Sequence, residues 1–182
     1  DSVASRGLGD VYKRQAESGG QVGDTGYLKS GAETSFRVKD VQRRVGDLFT
    51  HIGVIENGSF SLGDAVEMKV DAEYRSCLRA NHSATHLLHE SLRRHLGDHV
   101  TQKGSLVDTQ KLRFDFSHSR PVETETLRIV EHEVNEQIRG NTEVVTQLMQ
   151  PEDAIKAGAM ALFGEKYGCL LYTSDAADDL LC

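Results

Sequence analysis

Between Leu78 and Leu96 the apolar residues Ala84, Leu87, Leu88, Leu92 and Leu96 recur at helical spacing, and Gly97 follows as a stop. From residue 36 to about 75 the pattern is different. Runs rich in valine and phenylalanine (FRVKDV, LFTHIGVIE, AVEMKVDAEY) are separated by Gly46-Asp47, Asn57-Gly58 and Gly63-Asp64. Such punctuation marks antiparallel hairpins. The change of period predicts an α+β chain: a small antiparallel β-barrel or open sheet over 16–75, then a two-layer α+β module over 76–168. Residues 16–35, rich in glycine and polar side chains, read as a structured loop. Further on, KLRFDFSH (111–118) alternates as a strand does. Leu127, Val130, Val134 and Ile138 space a second helix from Pro121 to about Arg139, closed by Gly140-Asn141. EVVTQLM (143–149) reads as a strand and PEDAIKAG (151–158) as a short helix with proline in its first turn. The sequence carries no internal repeat.

A length of 182 residues suits one core or two small domains. Charged residues at 27% and hydrophobic residues at 38% describe a folding chain rather than a disordered one. No run approaches the roughly 18 apolar residues of a membrane helix, and no charged-then-apolar leader is present, so a cytoplasmic protein without a membrane partner is expected. Three cysteines, an odd number, do not make a disulfide framework. The first fifteen residues (DSVASRGLGDVYKRQ) and the last fourteen (CLLYTSDAADDLLC, with Cys169 and Cys182) have no period. Both resemble translated sequencing-adapter read-through that recurs on unrelated proteins, so the functional reading rests on 16–168. These flanks hold three basic and five acidic residues, so the net charge of 16–168 is −5 against −7 for the whole chain.

Histidine is the unusual component. Five of the 8 (His82, His86, His89, His95, His99) fall within 18 consecutive residues. In Asn81-His82-Ser83-Ala84-Thr85-His86 two histidines lie four apart, which on a helix separates them by about 40° and about 6 Å. Their rings point to one face and can share a metal ion. His89 is on that face too, but about 10.5 Å along the axis from His82. Metal–nitrogen bonds of about 2.0–2.1 Å do not bring it onto the same ion as the other two. The helix thus supplies two ligands, and the bland alternative is a pair of polar residues on a wet face. There is no His-Glu-x-x-His, so a zinc-protease arrangement with a built-in base is absent.

Other features are weaker. AESGGQVGDTG (16–26) lacks the Lys-Ser/Thr of a phosphate-binding P-loop and precedes no helix, so it reads as a tight-turn loop. Cys77 is expected to be a small buried hydrophobe rather than a ligand. His118, at a strand end, reads as a surface or capping histidine. Arg43-Arg44, Arg93-Arg94, Lys103 and Arg113 could touch phosphates or lie on solvated faces. Only a one-sided distribution in space would favour nucleic acid.

The string NHSATHLLHESLRRHLGDHVTQKGSLVDTQKLRFDFSHSRPV closely resembles the editing domain of the alanyl-tRNA synthetase family. AESGGQVGDTG matches that family's glycine-rich motif, and GAMALFGEKYG (158–168) matches a stretch further on. The three motifs stand in the family's order and spacing and span nearly all of 16–168. Ala16-Glu17-Ser18 before the glycines looks like the bacterial full-length type rather than a free-standing trans-editing deacylase. The resemblance implies a fragment whose parent charges alanine tRNA using ATP in an aminoacylation domain not present here. The part present would hydrolyse serine or glycine wrongly esterified to tRNA(Ala), with no DNA partner. It further implies that His82 and His86 are zinc ligands at the catalytic centre, that Thr85 senses the serine hydroxyl, and that Gln102 in Thr101-Gln102-Lys103-Gly104-Ser105 lines the same pocket.

The chain departs from the family at one place. The family completes its zinc site with a Cys-x-x-x-His pair shortly after EKYG, whereas the residues following Cys169 contain no histidine. Two of four expected Zn2+ ligands are therefore present, and weak zinc binding and weak hydrolysis are expected of this polypeptide. The alternatives are a free-standing deacylase of the same superfamily and a non-catalytic tRNA-binding module.

Overall fold

The computed structural model describes residues 16–17, 19–44 and 48–142, together with the backbone of 148–149 and 171–172. These fall into two compact units. One comprises the described residues up to Leu78 with Ser105–Leu112, the other Arg79–Gly104 with those from Arg113 onward.

In the first unit, strands β1 (Gly26–Ser30), β2 (Thr34–Arg43), β3 (Phe49–Asn57) and β4 (Glu67–Val70) form one antiparallel sheet in the order β3-β2-β1-β4. The central strand β1 lies within the stretch read from sequence as loop. Its five residues begin on the last glycine of the glycine-rich motif and are followed by Gly31, whose φ of 63° turns the chain into β2. On β2 the two fully buried valines are Val38 and Val41, an odd spacing for one face of a strand. A register shift explains it: Val38 pairs with Gly53 and Asp40 with Ile52, so Lys39 bulges out and the following residues change face. Val38 and Val41 then pack with Ala16, Leu28 and Phe36 to make this unit's core.

The barrel expected over 16–75 does not close. Among the described residues β3 and β4 are the two edges of an open sheet. Closure requires the edge strands to meet, with matched tilt and stagger. Here β4 is only four residues long and pairs with β1 alone.

Helix α1 (Ala72–Leu96) begins earlier than its apolar repeat suggests. Asp71 sets the start by accepting the Tyr74 backbone N–H on Oδ1 at 3.0 Å, the bond of an N-cap. At its other end Gly97 takes φ 113° and bonds back to the Arg93 carbonyl. Both α1 and β5 (Gln102–Val107) run from one unit into the other.

In the second unit, α1 and α2 (Thr124–Gly140) pack with β6 (Leu112–Phe116), the pairing partner of β5. Its core is Leu92, Val100 and Val130, with Leu88, Leu96, Phe114, Phe116 and Val134 against them. The α2 stop is as read from sequence: Asn141 adopts φ 43° and bonds to the Ile138 carbonyl. The short strands β7 (Leu148–Met149) and β8 (Leu171–Tyr172) pair antiparallel. The helix expected over 151–158, the GAMALFGEKYG motif and the rest of both flanks lie outside the described residues. Among the described residues no helix is long and apolar enough to cross a membrane.

Candidate functional site

Helix α1 carries both His82 and His86, and their rings lie nearly parallel, with centroids 5.3 Å apart and planes at 14°. This is the side-by-side placement that four-residue spacing on a helix gives. His82 is half-buried and His86 exposed, so the pair opens to solvent. Among the described residues no third histidine, cysteine, aspartate or glutamate joins them in a group that could hold a metal ion.

The neighbouring residues divide between core and surface. His89, expected on the same face, is 6% exposed; its ring packs on Phe114 at 5.0 Å and its Nε2 lies 3.2 Å from the Val100 carbonyl. A carbonyl only accepts, so His89 donates from Nε2. That bond pins α1 to the segment two residues before Gln102. Gln102 opens β5 and is exposed. Thr85 is 5% exposed, and its hydroxyl donates to the Asn81 carbonyl at 2.9 Å. Cys77, expected to be buried, is exposed. Its neighbour Leu78 takes the fully buried position, and one residue along a helix rotates the side chain by about 100°.

A second polar focus gathers on Glu133 of α2. Ser91 donates to its Oε2 at 2.6 Å, His95 Nε2 lies 2.9 Å from the same oxygen, and Arg94 donates to Oε1 at 2.8 Å. These partners, the Ser91 hydroxyl first, hold the Glu133 carboxyl down to about 2. The cluster is a clamp between α1 and α2. His118, past the end of β6, pairs its Nδ1 with His99 Nε2 at 2.8 Å. The ring centroids are 5.1 Å apart, which places the two nitrogens nearly on the line joining the rings. That is the arrangement of an N–H···N hydrogen bond, in which the lone pairs do not converge on a third atom. Arg93, Arg94 and Arg113, considered for phosphates, pair with Asp98, with Glu90 and Glu133, and with Asp115.

The glycine-rich segment serves packing. A Cβ on Gly20, which has φ 89°, would overlap the Ser105 carbonyl, and one on Gly23 would overlap the Val41 carbonyl. This close approach lets Gly20 and Val22 exchange backbone hydrogen bonds with Val107, with Gln21 bridging parallel to it. Asp24 in the same segment is fully buried. Arg75 of α1 donates to its Oδ1 from Nε at 2.7 Å and to its Oδ2 from Nη2. Beside this pair the Tyr74 hydroxyl is pushed up by burial and then by Asp108, Asp24, Asp40 and Asp71. Neither the Asp24–Arg75 fork nor the Glu133 clamp has a motif in the sequence.

Comparison with known proteins agrees with the motifs. Residues 13–74 match the family described as tRNA synthetases class II (A). The chain is 61% identical over 153 residues to the alanine–tRNA ligase of Parvibaculum lavamentivorans and 58% identical over 153 residues to that of Rhodopseudomonas palustris. It is 55% identical over 152 residues to that of Nitrobacter winogradskyi. Each alignment takes in 84% of this chain but 17% of the relative, so the chain spans about one sixth of the length of the curated relatives it matches. By sequence, the chain belongs to the alanyl-tRNA synthetases, as a segment of that larger protein.

Proposed function

We propose that residues 76–168 form the editing domain of an alanine–tRNA ligase, which hydrolyses serine or glycine wrongly esterified to tRNA(Ala). The observation that carries this reading is the parallel His82–His86 pair on an open face of α1, in a chain whose relatives are alanine–tRNA ligases. The chemistry calls for such a site. An alanine pocket cannot exclude glycine by size and rejects an added hydroxyl poorly, so a second, hydrolytic pocket is needed. ATP-dependent charging of the tRNA is assigned to the longer protein.

His82 and His86 fit two positions of a zinc site: each offers imidazole nitrogens, and the two rings stand side by side. Zinc, when bound, supplies a Lewis acid that polarises and positions the aminoacyl ester. The chain's own groups select the substrate. The Thr85 oxygen donates its proton to Asn81 and keeps lone pairs that accept from a serine hydroxyl. The Gln102 amide, both donor and acceptor, serves polar groups of the aminoacyl ester. Water attacks the ester carbonyl carbon, and the ribose oxygen leaves with a proton.

The test is deacylation of seryl-tRNA(Ala) and glycyl-tRNA(Ala) by the chain and by a version extended to the length of its relatives. His82→Ala and His86→Ala should each lower the rate at least a hundredfold in the extended version with unchanged thermal midpoint, and zinc titration should show weaker binding to the shorter chain. A wild-type extended protein that binds the tRNA but cleaves neither ester would make this a binding module instead.

A further inference from the structure

The two residues read as contacting the aminoacyl group come from different elements, Thr85 from α1 and Gln102 from the start of β5. A pocket assembled in this way is only as exact as the junction between them. His89 sits on that junction. It lies one helical turn after Thr85, displaced by about 40° and about 6 Å, and both side chains are buried. Thr85 bonds within α1, to Asn81, whereas His89 reaches out of the helix and donates to the Val100 carbonyl at 3.2 Å. Val100 is 0% exposed and stands two residues before Gln102, at most about 7 Å of extended chain. All of these residues belong to the second unit.

Packing alone does not call for histidine at this place. Its neighbours Phe114 and Val100 belong to the apolar core of the unit. A buried imidazole costs free energy there unless it is hydrogen-bonded, and a leucine or phenylalanine carries no such cost. What histidine adds is the bond to Val100. The next residue is held from the other side. Thr101 donates its backbone N–H to Ser117 Oγ at 3.0 Å, and the Ser117 N–H donates to the Thr101 carbonyl at 3.0 Å. Ser117 follows directly on β6. The entry to β5 is thus tied to α1 through His89 and to the end of β6 through Ser117, and Gln102 is the first residue beyond both ties. Its side chain is exposed, so the placement of its amide starts from that anchored backbone.

We infer that His89 is a positioning residue for ester hydrolysis: by holding the Val100 carbonyl against α1, it fixes Gln102 at a set distance from Thr85 and the His82–His86 pair. The inference rests on the hydrolytic reading and adds to it a residue that acts through Gln102. A reacting group displaced by about 1 Å can cost about a hundredfold in rate, so the loss of one anchoring bond is readable in the kinetics.

The experiment measures kcat and KM for seryl-tRNA(Ala) in the extended version, and amide exchange in the full chain without zinc or tRNA. His89→Phe keeps a ring against Phe114 but has no donor. It should lower kcat at least about tenfold, while KM and zinc affinity move less than about twofold. His89→Gln carries an N–H at the same number of bonds from Cβ as Nε2 and should return kcat to within about threefold of the parent, whereas the shorter His89→Asn should not. These two variants differ by one methylene and decide the question even where the phenylalanine does not fold. Gln102→Ala should lower kcat at least about tenfold in the parent but less than about twofold in the His89→Phe background, the non-additivity of residues that act together. Amide exchange at Thr101 and Ser117 should quicken in His89→Phe and return in His89→Gln, and His132→Phe, at an exposed position of α2, should change none of these readouts. A His89→Asn protein as active as His89→Gln, additive effects with Gln102→Ala, or unchanged exchange overturns the inference and leaves the hydrolytic reading standing. A parent that cleaves neither ester overturns that reading, and this inference with it.

Discussion

Replacing Asp24 with alanine leaves the Arg75 guanidinium facing a site emptied of its carboxylate. The Asp24 side chain is 0% exposed and that of Arg75 16%, so water reaches neither well enough to take the partner's place. Removing one member of such a buried pair costs about 3–5 kcal/mol, because the remaining charge keeps its desolvation penalty and loses its compensation. A domain of this size is stable by about 5–15 kcal/mol, so the loss is a large fraction of the whole. At 1.4 kcal/mol per factor of ten it lowers the folding constant by about a hundredfold to several thousandfold. Urea unfolding followed by circular dichroism reads this as a lower midpoint at unchanged slope. The companion Arg75→Met and the double variant Asp24→Ala/Arg75→Met complete a cycle. The double variant, free of any buried unpaired charge, should be more stable than Asp24→Ala, with a coupling of at least about 1.5 kcal/mol. An Asp24→Ala protein within about 1 kcal/mol of the parent, or effects additive to within about 0.3–0.5 kcal/mol, would refute the view that this fork fastens the glycine-rich segment to the first turns of α1.

Two further outcomes follow from the packing. Glu133→Gln should cost about 1–2 kcal/mol at neutral pH, a figure reduced for the partial exposure of the carboxylate. Because the folded carboxyl is held down to about 2 from an ordinary 4.5, its contribution is complete above about pH 4.5 and is lost as pH falls through 2. Chemical denaturation from pH 6 to 2 should therefore show parent and variant converging toward the acid end; a constant gap would sink the assignment. Gly20→Ala should destabilise by at least about 2 kcal/mol, since the added Cβ meets backbone that no rotamer change relieves and φ is positive. Amide exchange at Val107 and Val22, whose hydrogen bonds depend on that approach, should quicken first.

Reading the two halves of this chain from sequence succeeded unequally. The helices were legible because leucine and valine at intervals of three and four, with glycine or asparagine beyond, leave one way to bury the apolar stripe. The β1 strand was not, because five residues next to a glycine-rich motif are too few to show a period, and it is neighbours on both sides that make them the centre of a sheet. The start of α1 was hidden for a related reason. Its first turns carry an aspartate cap and an arginine whose partner is 51 residues away in sequence.

What the sequence by itself determined is the kinship and the local pattern: an i, i+4 histidine pair on a helix, motifs in the family's order, and the helices and β6 strand that local periodicity can specify. Tertiary structure decided what depends on distant partners. It opened the expected barrel into a sheet, sent Cys77 to the surface and His89 into the core, and turned Thr85 toward Asn81. It also aligned Lys69, Tyr27 and Arg37 across three strands. The reason is one of range. Helical phase and turn chemistry are set within a few residues, whereas burial, register and bulges are set by whatever chain arrives from elsewhere.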